Sequence, residues 1–189
     1  KNRQKLSNNA VENVDYFFKP NHRLKMNTQL SPGLTFRHSV SSDHPRIISV
    51  LKDWWGGRDL TSMVPRLFLE HFCDTSFVIE KEGDLVAFLI GFLSPEHSSE
   101  GYIHFSGVHP DYRSLSIGTY LYEHFTQICR ENGRNTIRAC TSPINRGSIL
   151  FHTKIGFEIE KGNSIIDGVQ VTLDYNRPDD PKVLFKKMF

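Results

Sequence analysis

Apolar side chains recur along this chain first at every second residue and then at every third or fourth, and the switches between these periods mark its elements. From Leu34 the alternation predicts a strand over 34–40. Ser42 or Asp43 then caps a helix over 44–55, with Pro45 in its first turn and Gly56-Gly57 as its stop. Leu60, Val64, Leu67, Phe68 and Phe72 form one stripe of a second predicted helix over 60–72. Two apolar runs, 75–80 and 85–93, flank a short Gly-containing turn and read as a β-hairpin. A further strand is expected over 102–108. The clearest helical stripe, Ile117, Leu121, Phe125 and Ile128, runs over 118–132 and stops at Asn132-Gly133. A strand over 135–141, a short helix over 145–154 and a strand at 156–160 follow. Two C-terminal strands, 169–173 and 182–189, are expected to pair with each other. The order β-α-α-β-β-β-α-β-α-β-β opens antiparallel and contains one βαβ crossover. It predicts an α+β layered fold around a mixed, mostly antiparallel sheet, not a doubly wound one.

Residues 1–33 have neither rhythm. Polar stretches surround a short apolar cluster, Val14 to Phe18, and the segment closes on Pro32-Gly33. It reads as an N-terminal arm or extension before a domain over 34–189. Such an arm either tacks onto the domain through its aromatics or covers a substrate or a dimer contact.

Composition adds limits. With 38% hydrophobic and 23% charged residues, the chain resembles an ordinary globular protein able to bury a core without staples. A net charge of +2 gives no reason to expect nucleic acid or an anionic membrane as partner. Cys73, Cys129 and Cys140 lack metal or disulfide spacing, and the nine histidines are scattered, so no metal site is expected. No apolar run reaches the ~20 residues of a membrane span, and no secretory signal pattern opens the chain. A cytoplasmic location is the expectation.

The chemistry concentrates between Val108 and Gly118. A strand there runs into a loop of small residues, Ser114 and Ser116 among them, and then into a helix. The first turn of a helix has unpaired amides and a partial positive charge, and small side chains let a diphosphate come close to them. A nucleotide-like ligand held by backbone is implied. A Rossmann-type nucleotide domain would require strand–helix alternation from the start, which this chain lacks.

Three places carry a family resemblance. Arg113-Ser-Leu-Ser-Ile-Gly118 resembles the Q/R-x-x-G-x-G/A pyrophosphate loop of the GNAT superfamily of acyl-CoA-dependent N-acyltransferases, preceded by Val108-His-Pro110. Asn145 through Ser148 to the run Phe151 to Phe157 is similar to that family's N-x-x-A helix and L-Y-x-K-x-G-F turn. Val183 to Met188 falls where family members finish their sheet. The resemblance implies an acetyl-CoA-dependent N-acetyltransferase acting on a primary amine of a small molecule or protein, with acetyl-CoA as cosubstrate and no metal. Its alternative within the same fold is a catalytically weak CoA-binding sensor or scaffold.

By the resemblance, the amides of Arg113, Ser114, Leu115, Ser116, Ile117, Gly118 and Thr119 surround the CoA pyrophosphate. Ser106, Gly107 and Val108 would pair with the pantetheine arm, and Asn145 would bond it, unless Asn145 is an ordinary helix N-cap. Two departures stand out: Ser116 replaces the first motif glycine, and His152 stands where many relatives carry a general-acid tyrosine.

Amine acylation needs a base for the amine and a proton for the thiolate. Tyr102, His104 and Ser106 alternate and so are expected on one face, with His104 as the candidate base and His152 as the candidate acid. Glu100 is a second candidate base. His104 is otherwise a half-buried histidine bonded to a neighbouring loop, and His152 otherwise packs on its helix. Trp54 and Trp55, before the double glycine, suggest an aromatic lip over the amine, with Asp59 attracting its charge. A homodimer through the C-terminal strands or the arm is compatible with the sequence.

Overall fold

The computed structural model describes residues 29–189. The arm expected over 1–33, with its Val14 to Phe18 cluster, thus lies largely outside the described residues. Within them, Leu30 packs against the core.

Seven strands form one sheet. β1 (Leu34–His38), β2 (Phe77–Lys81), β3 (Asp84–Leu93) and β4 (Glu100–Val108) run antiparallel in sequence order, then β5 (Thr136–Thr141) joins β4 in parallel. β9 (Val183–Met188) inserts antiparallel between β5 and β6 (Glu158–Ile159). The crossover from β4 to β5 is α3 (Ile117–Glu131). α1 (His44–Trp54) packs on the other face together with a short α2 (Phe68–His71), and α4 (Arg146–Lys154) follows β5.

β3 explains why the sheet has two cores. Val86 to Ile90 are all buried, with Ala87 and Leu89 turned to the α3 layer and Phe88 and Ile90 to the α1 layer. A strand covered on both faces reads as a continuous apolar run. Against it α3 lies close, because Gly91 and Gly101 have no Cβ. A methyl group at either would run into Phe125 or the Cys129 sulfur. That approach fixes where the first turn of α3 points.

Two expectations are corrected. The helix expected over 60–72 is a 3-10 turn, Thr61–Met63, followed after a break by α2. Pro65 disfavours helical backbone at the residue before it, and Val64 sits at φ −123°, ψ 69°. The expected pairing of 169–173 with 182–189 also fails. β8 (Val169–Val171) pairs with β7 (Ser164–Ile166) across an Asp167-Gly168 turn in which both residues have positive φ. β9 instead pairs with β5 and β6, and a single bridge, Thr172 to Lys182, links the two C-terminal segments. Among the described residues no helix is long and apolar enough to cross a membrane.

Candidate active site

β4 and β5 pair from Glu100–Thr136 to Ile103–Ala139 and then part. Beyond that point β5 continues with β9 on its other side, so the β4 edge from His104 onward has no strand partner there. A cavity of about 730 Å3 occupies the parting. It reaches the α3 and α4 N-termini on one side and the α1 C-terminus on the other, through Gly118, Ser148 and Trp55. Its charged lining side chains among the described residues are Arg58, Arg113 and Lys154.

The end of β4 does not keep the expected alternation. Ile90 pairs with Phe105 and Gly91 with Ile103, so His104 is an extra residue in a β-bulge. One inserted residue reverses every side chain after it. Tyr102 and His104 remain on the α1–α2 face, where they stack on Phe92 and Phe68. Ser106 turns to the opposite face and meets Tyr122 of α3. The shared face expected for His104 and Ser106 is therefore corrected. The two flank the cavity from either side of the sheet.

At one end of the cavity, residues Pro110–Leu115 form a 3-10 turn that feeds α3 through Ser116. Ser116 is left-handed, at φ 58°, ψ 17°, and its side chain makes no capping bond. The first bond across this helix start runs from Tyr120 N to Ser116 O at 3.0 Å, so the amides of Ile117, Gly118 and Thr119 have no partner within the helix. Ser114, Ser116, Gly118 and Thr119 line the cavity. Leu115 is exposed and Ile117 is buried in the core, so neither offers more than backbone here. The Arg113 guanidinium is held by main-chain carbonyls. It donates to Val108 O at 3.2 Å and to Trp54 O at 2.7 Å, tying the loop to α1.

Asn145 caps α4, its Oδ1 accepting from Ser148 N at 3.2 Å, while the residue also lines the cavity. The N-cap role and a place at the cavity coexist. Gly107 supplies a close approach: a methyl there would come within 2.6 Å of Trp55. Trp54 is buried, stacked on Phe88, whereas Trp55 is half-buried against Phe105, and both line the cavity. Asp59 lies outside the lining, and its carboxylate accepts from the Thr61 amide and hydroxyl. Glu100 accepts from Arg138 at 2.8 Å and is likewise outside the cavity.

Two histidines face the cavity with fixed tautomers. His104 Nε2 is 2.7 Å from the carbonyl of Met63. A carbonyl only accepts, so Nε2 carries the proton and Nδ1 keeps its lone pair. Burial pulls the His104 pKa below the ordinary imidazole value, with partial opposition from the Met63 carbonyl. His152 is buried with both nitrogens occupied: Nδ1 lies 2.7 Å from Ser148 O and Nε2 lies 3.0 Å from the Tyr122 hydroxyl. Burial lowers its pKa too.

Tyr122 escaped the sequence reading. It sits one residue off the α3 stripe, four after Gly118, and so on the Gly118 side of the helix. Nothing in the periodicity separates it from packing. Cys140, whose thiol pKa is raised by burial, and Arg58 line the cavity as well and carried no motif signal.

The acetyltransferase (GNAT) family model matches residues 44–157. The cysteine-rich protein 2-binding proteins of Mus musculus and Homo sapiens are each 29% identical over 119 residues, a match covering 62% of this chain and 14% of theirs. The chain thus spans a small part of the curated relatives it matches. Among solved structures, the diaminobutyrate acetyltransferase of Paenibacillus lautus, in complex with L-2,4-diaminobutyric acid and coenzyme A, is 22% identical with a TM-score of 0.60, covering 82% of this chain and 96% of that one. The ribosomal-protein-S18-alanine N-acetyltransferase of Escherichia coli is 16% identical with a TM-score of 0.57, covering 82% and 93%. At these identities the structural likeness establishes the shared fold.

Proposed function

The chain belongs to the GNAT acetyltransferase family, and from that premise we propose that it transfers an acetyl group from acetyl-CoA to a primary amine by direct attack on the thioester. The carrying observation is the single cavity that runs from unpaired helix amides through the parting of β4 and β5. An elongated donor with a diphosphate at one end and a thioester at the other fits that shape.

The amides around Ser114 to Thr119 bind the pyrophosphate, and the Arg113 strut keeps the loop in register. Small side chains at Ser114, Ser116 and Gly118 keep the approach open. The unpaired β4 edge at Ser106 to Val108 supplies main-chain donors and acceptors to the extended pantetheine arm, as an added strand would use them. Asn145 offers its side-chain nitrogen, which the capping bond does not use. These groups fit an acyl-CoA without any metal.

On the α1–α2 face, Trp55 and Phe105 form the wall against which the acceptor lies. His104 has its Nδ1 lone pair available and is neutral at physiological pH. It takes a proton from the incoming ammonium group, directly or through water, leaving the amine nucleophilic. The acceptor is either a small molecule or an amine on a protein, and the location we propose is the cytoplasm.

Calorimetry with coenzyme A and a thiol-release screen over a panel of amines, with acetyl- and longer acyl-CoA, test this reading. Micromolar uptake of coenzyme A and amine-dependent thiol release are expected. Well-folded protein that takes up no coenzyme A refutes it. Ser116 and the fully bonded His152 favour one second reading, a CoA-binding module with weak chemistry. That module would bind coenzyme A but release thiol no faster with any amine than without.

A further inference from the structure

We propose that Tyr122 and His152 form a proton shuttle at the sulfur end of the cavity. Tyr122 passes the proton shed by the attacking nitrogen to His152 and then returns it to the departing sulfur. This rests on the acyl-transfer reading above and adds to it a tyrosine of α3 as the group that meets the reacting atoms.

The hydrogen bonds set the direction of the chain. Ser148 O can only accept, so His152 Nδ1 holds a proton, and a neutral ring then leaves Nε2 as an acceptor. Tyr122 therefore donates its hydroxyl to His152 Nε2 at 3.0 Å, and its oxygen accepts from Ser106 Oγ at 3.2 Å. Ser106 stands at the parting of β4 and β5, so the chain begins where an acyl-CoA arm emerges between the strands. It ends at a ring stacked on Phe185, centroids 4.4 Å apart and planes within 6°. Phe151 and Phe157 close its edges. Such a box holds the imidazole in one orientation and keeps water out.

The transfers balance. The acceptor nitrogen, already relieved of its ammonium proton by His104, forms its bond to the acyl carbon and gives a second proton to the Tyr122 oxygen. The original Tyr122 proton moves to His152 Nε2. The carbon–sulfur bond then breaks with its electron pair on sulfur. Tyr122 gives a proton to that sulfur, and His152 returns one to Tyr122. The nitrogen proton has become the thiol proton, and Tyr122 is never a phenolate. Burial pushes the Tyr122 pKa up to about 12 and that of His152 down, so the phenolate is avoided and the ring releases its proton readily. An ordinary thiol at ~8.5 lies above an ordinary imidazole at ~6.5, so the last transfer runs downhill.

Two variants and one spectrum test it. Tyr122→Phe keeps the packing and removes the relay atom. His152→Gln keeps a hydrogen-bond acceptor for Tyr122 and removes the proton store. Each is expected to lower kcat on the order of 100-fold, with coenzyme A affinity by calorimetry within threefold of wild type. The double variant should be no worse than either single one. In the 15N spectrum of the free protein, His152 Nδ1 should be protonated and Nε2 not, with the Nε2 signal moving in Tyr122→Phe. Single variants within threefold of wild-type kcat, or the opposite tautomer, overturn the shuttle. A wild type that binds coenzyme A but is inactive with every amine overturns the acyl-transfer reading and the shuttle's chemistry with it. The spectrum still reports on the pair in that case.

Discussion

Replacing Ser116 by glycine should stabilise this protein although it removes atoms from the loop before α3. Ser116 sits at φ 58°, ψ 17°, where an L-residue's Cβ crowds the following carbonyl. That conformation costs roughly 1–2 kcal/mol, and the Ser116 side chain makes no capping bond that offsets it. Glycine removes the crowding but loses more backbone entropy on folding, about 0.5–1 kcal/mol. The expected net gain is about 0.5–1 kcal/mol, or a rise of roughly 1–4 °C in Tm for a domain of this size. Thermal unfolding of S116G beside S116A measures it. S116A retains the Cβ and should melt close to wild type. Coenzyme A affinity should stay within threefold for both, since the amide donors are unchanged. An S116G protein that melts at or below wild type refutes the strain account and points to a stabilising role for the hydroxyl.

Five further outcomes follow from the same structure. Asp43 is buried between Arg37 at 2.7 Å and Arg46 at 3.0 Å, but both guanidinium groups are part-exposed and also hold Glu80, so D43N should cost roughly 1–2 kcal/mol in denaturant melts. Burial raises the Asp43 pKa, but Arg37, the Val40 amide and Arg46 outweigh it, and the net shift is downward. Glu80 is lowered chiefly by Arg37. Depressed carboxylates stabilise the fold above their unfolded range and lose that contribution as pH falls through their folded values. Acid unfolding should therefore steepen below about pH 4, and less so in D43N; identical acid profiles would contradict this. Gly107→Ala places a methyl 2.6 Å from Trp55 and 2.8 Å from Phe88, which should cost about 1–3 kcal/mol in denaturant melts and raise the amine KM. Arg113→Ala frees the loop from Trp54 and Val108 and should weaken coenzyme A binding about tenfold by calorimetry. Because a base must be neutral and burial lowers the His104 pKa, kcat should persist below the ordinary imidazole value and fall only as pH drops further; an acid limb of kcat above that value would exclude His104.

The α3 helix was legible because its stripe runs long and stops at glycine, and the hairpin of β2 and β3 because two apolar runs flank a Gly-containing turn. The motif loop was legible for a similar reason, since small residues before a helical stripe have few other uses. The apolar stripe over 60–72 overstates the second helix, because stripe spacing does not register the break that Pro65 imposes on the backbone before it. The Asp167-Gly168 turn was present in the sequence, yet the strands around it are only three residues each, too short for periodicity to register.

What the chain determined by itself was local: which segments extend, which coil, and where backbone amides are left for an anion. Those follow from neighbours a few residues apart. Tertiary structure alone decided which side chains meet at the reacting centre. The bulge at His104 sends Ser106 to the far face, because one added residue reverses an alternation of period two. Tyr122 and His152 lie 30 residues apart on different helices, brought to 3.0 Å by how α3 and α4 pack. A pattern read along one strand or helix contains no term for that packing, so the loop of free amides could be found in the sequence and the meeting of Tyr122 with His152 could not.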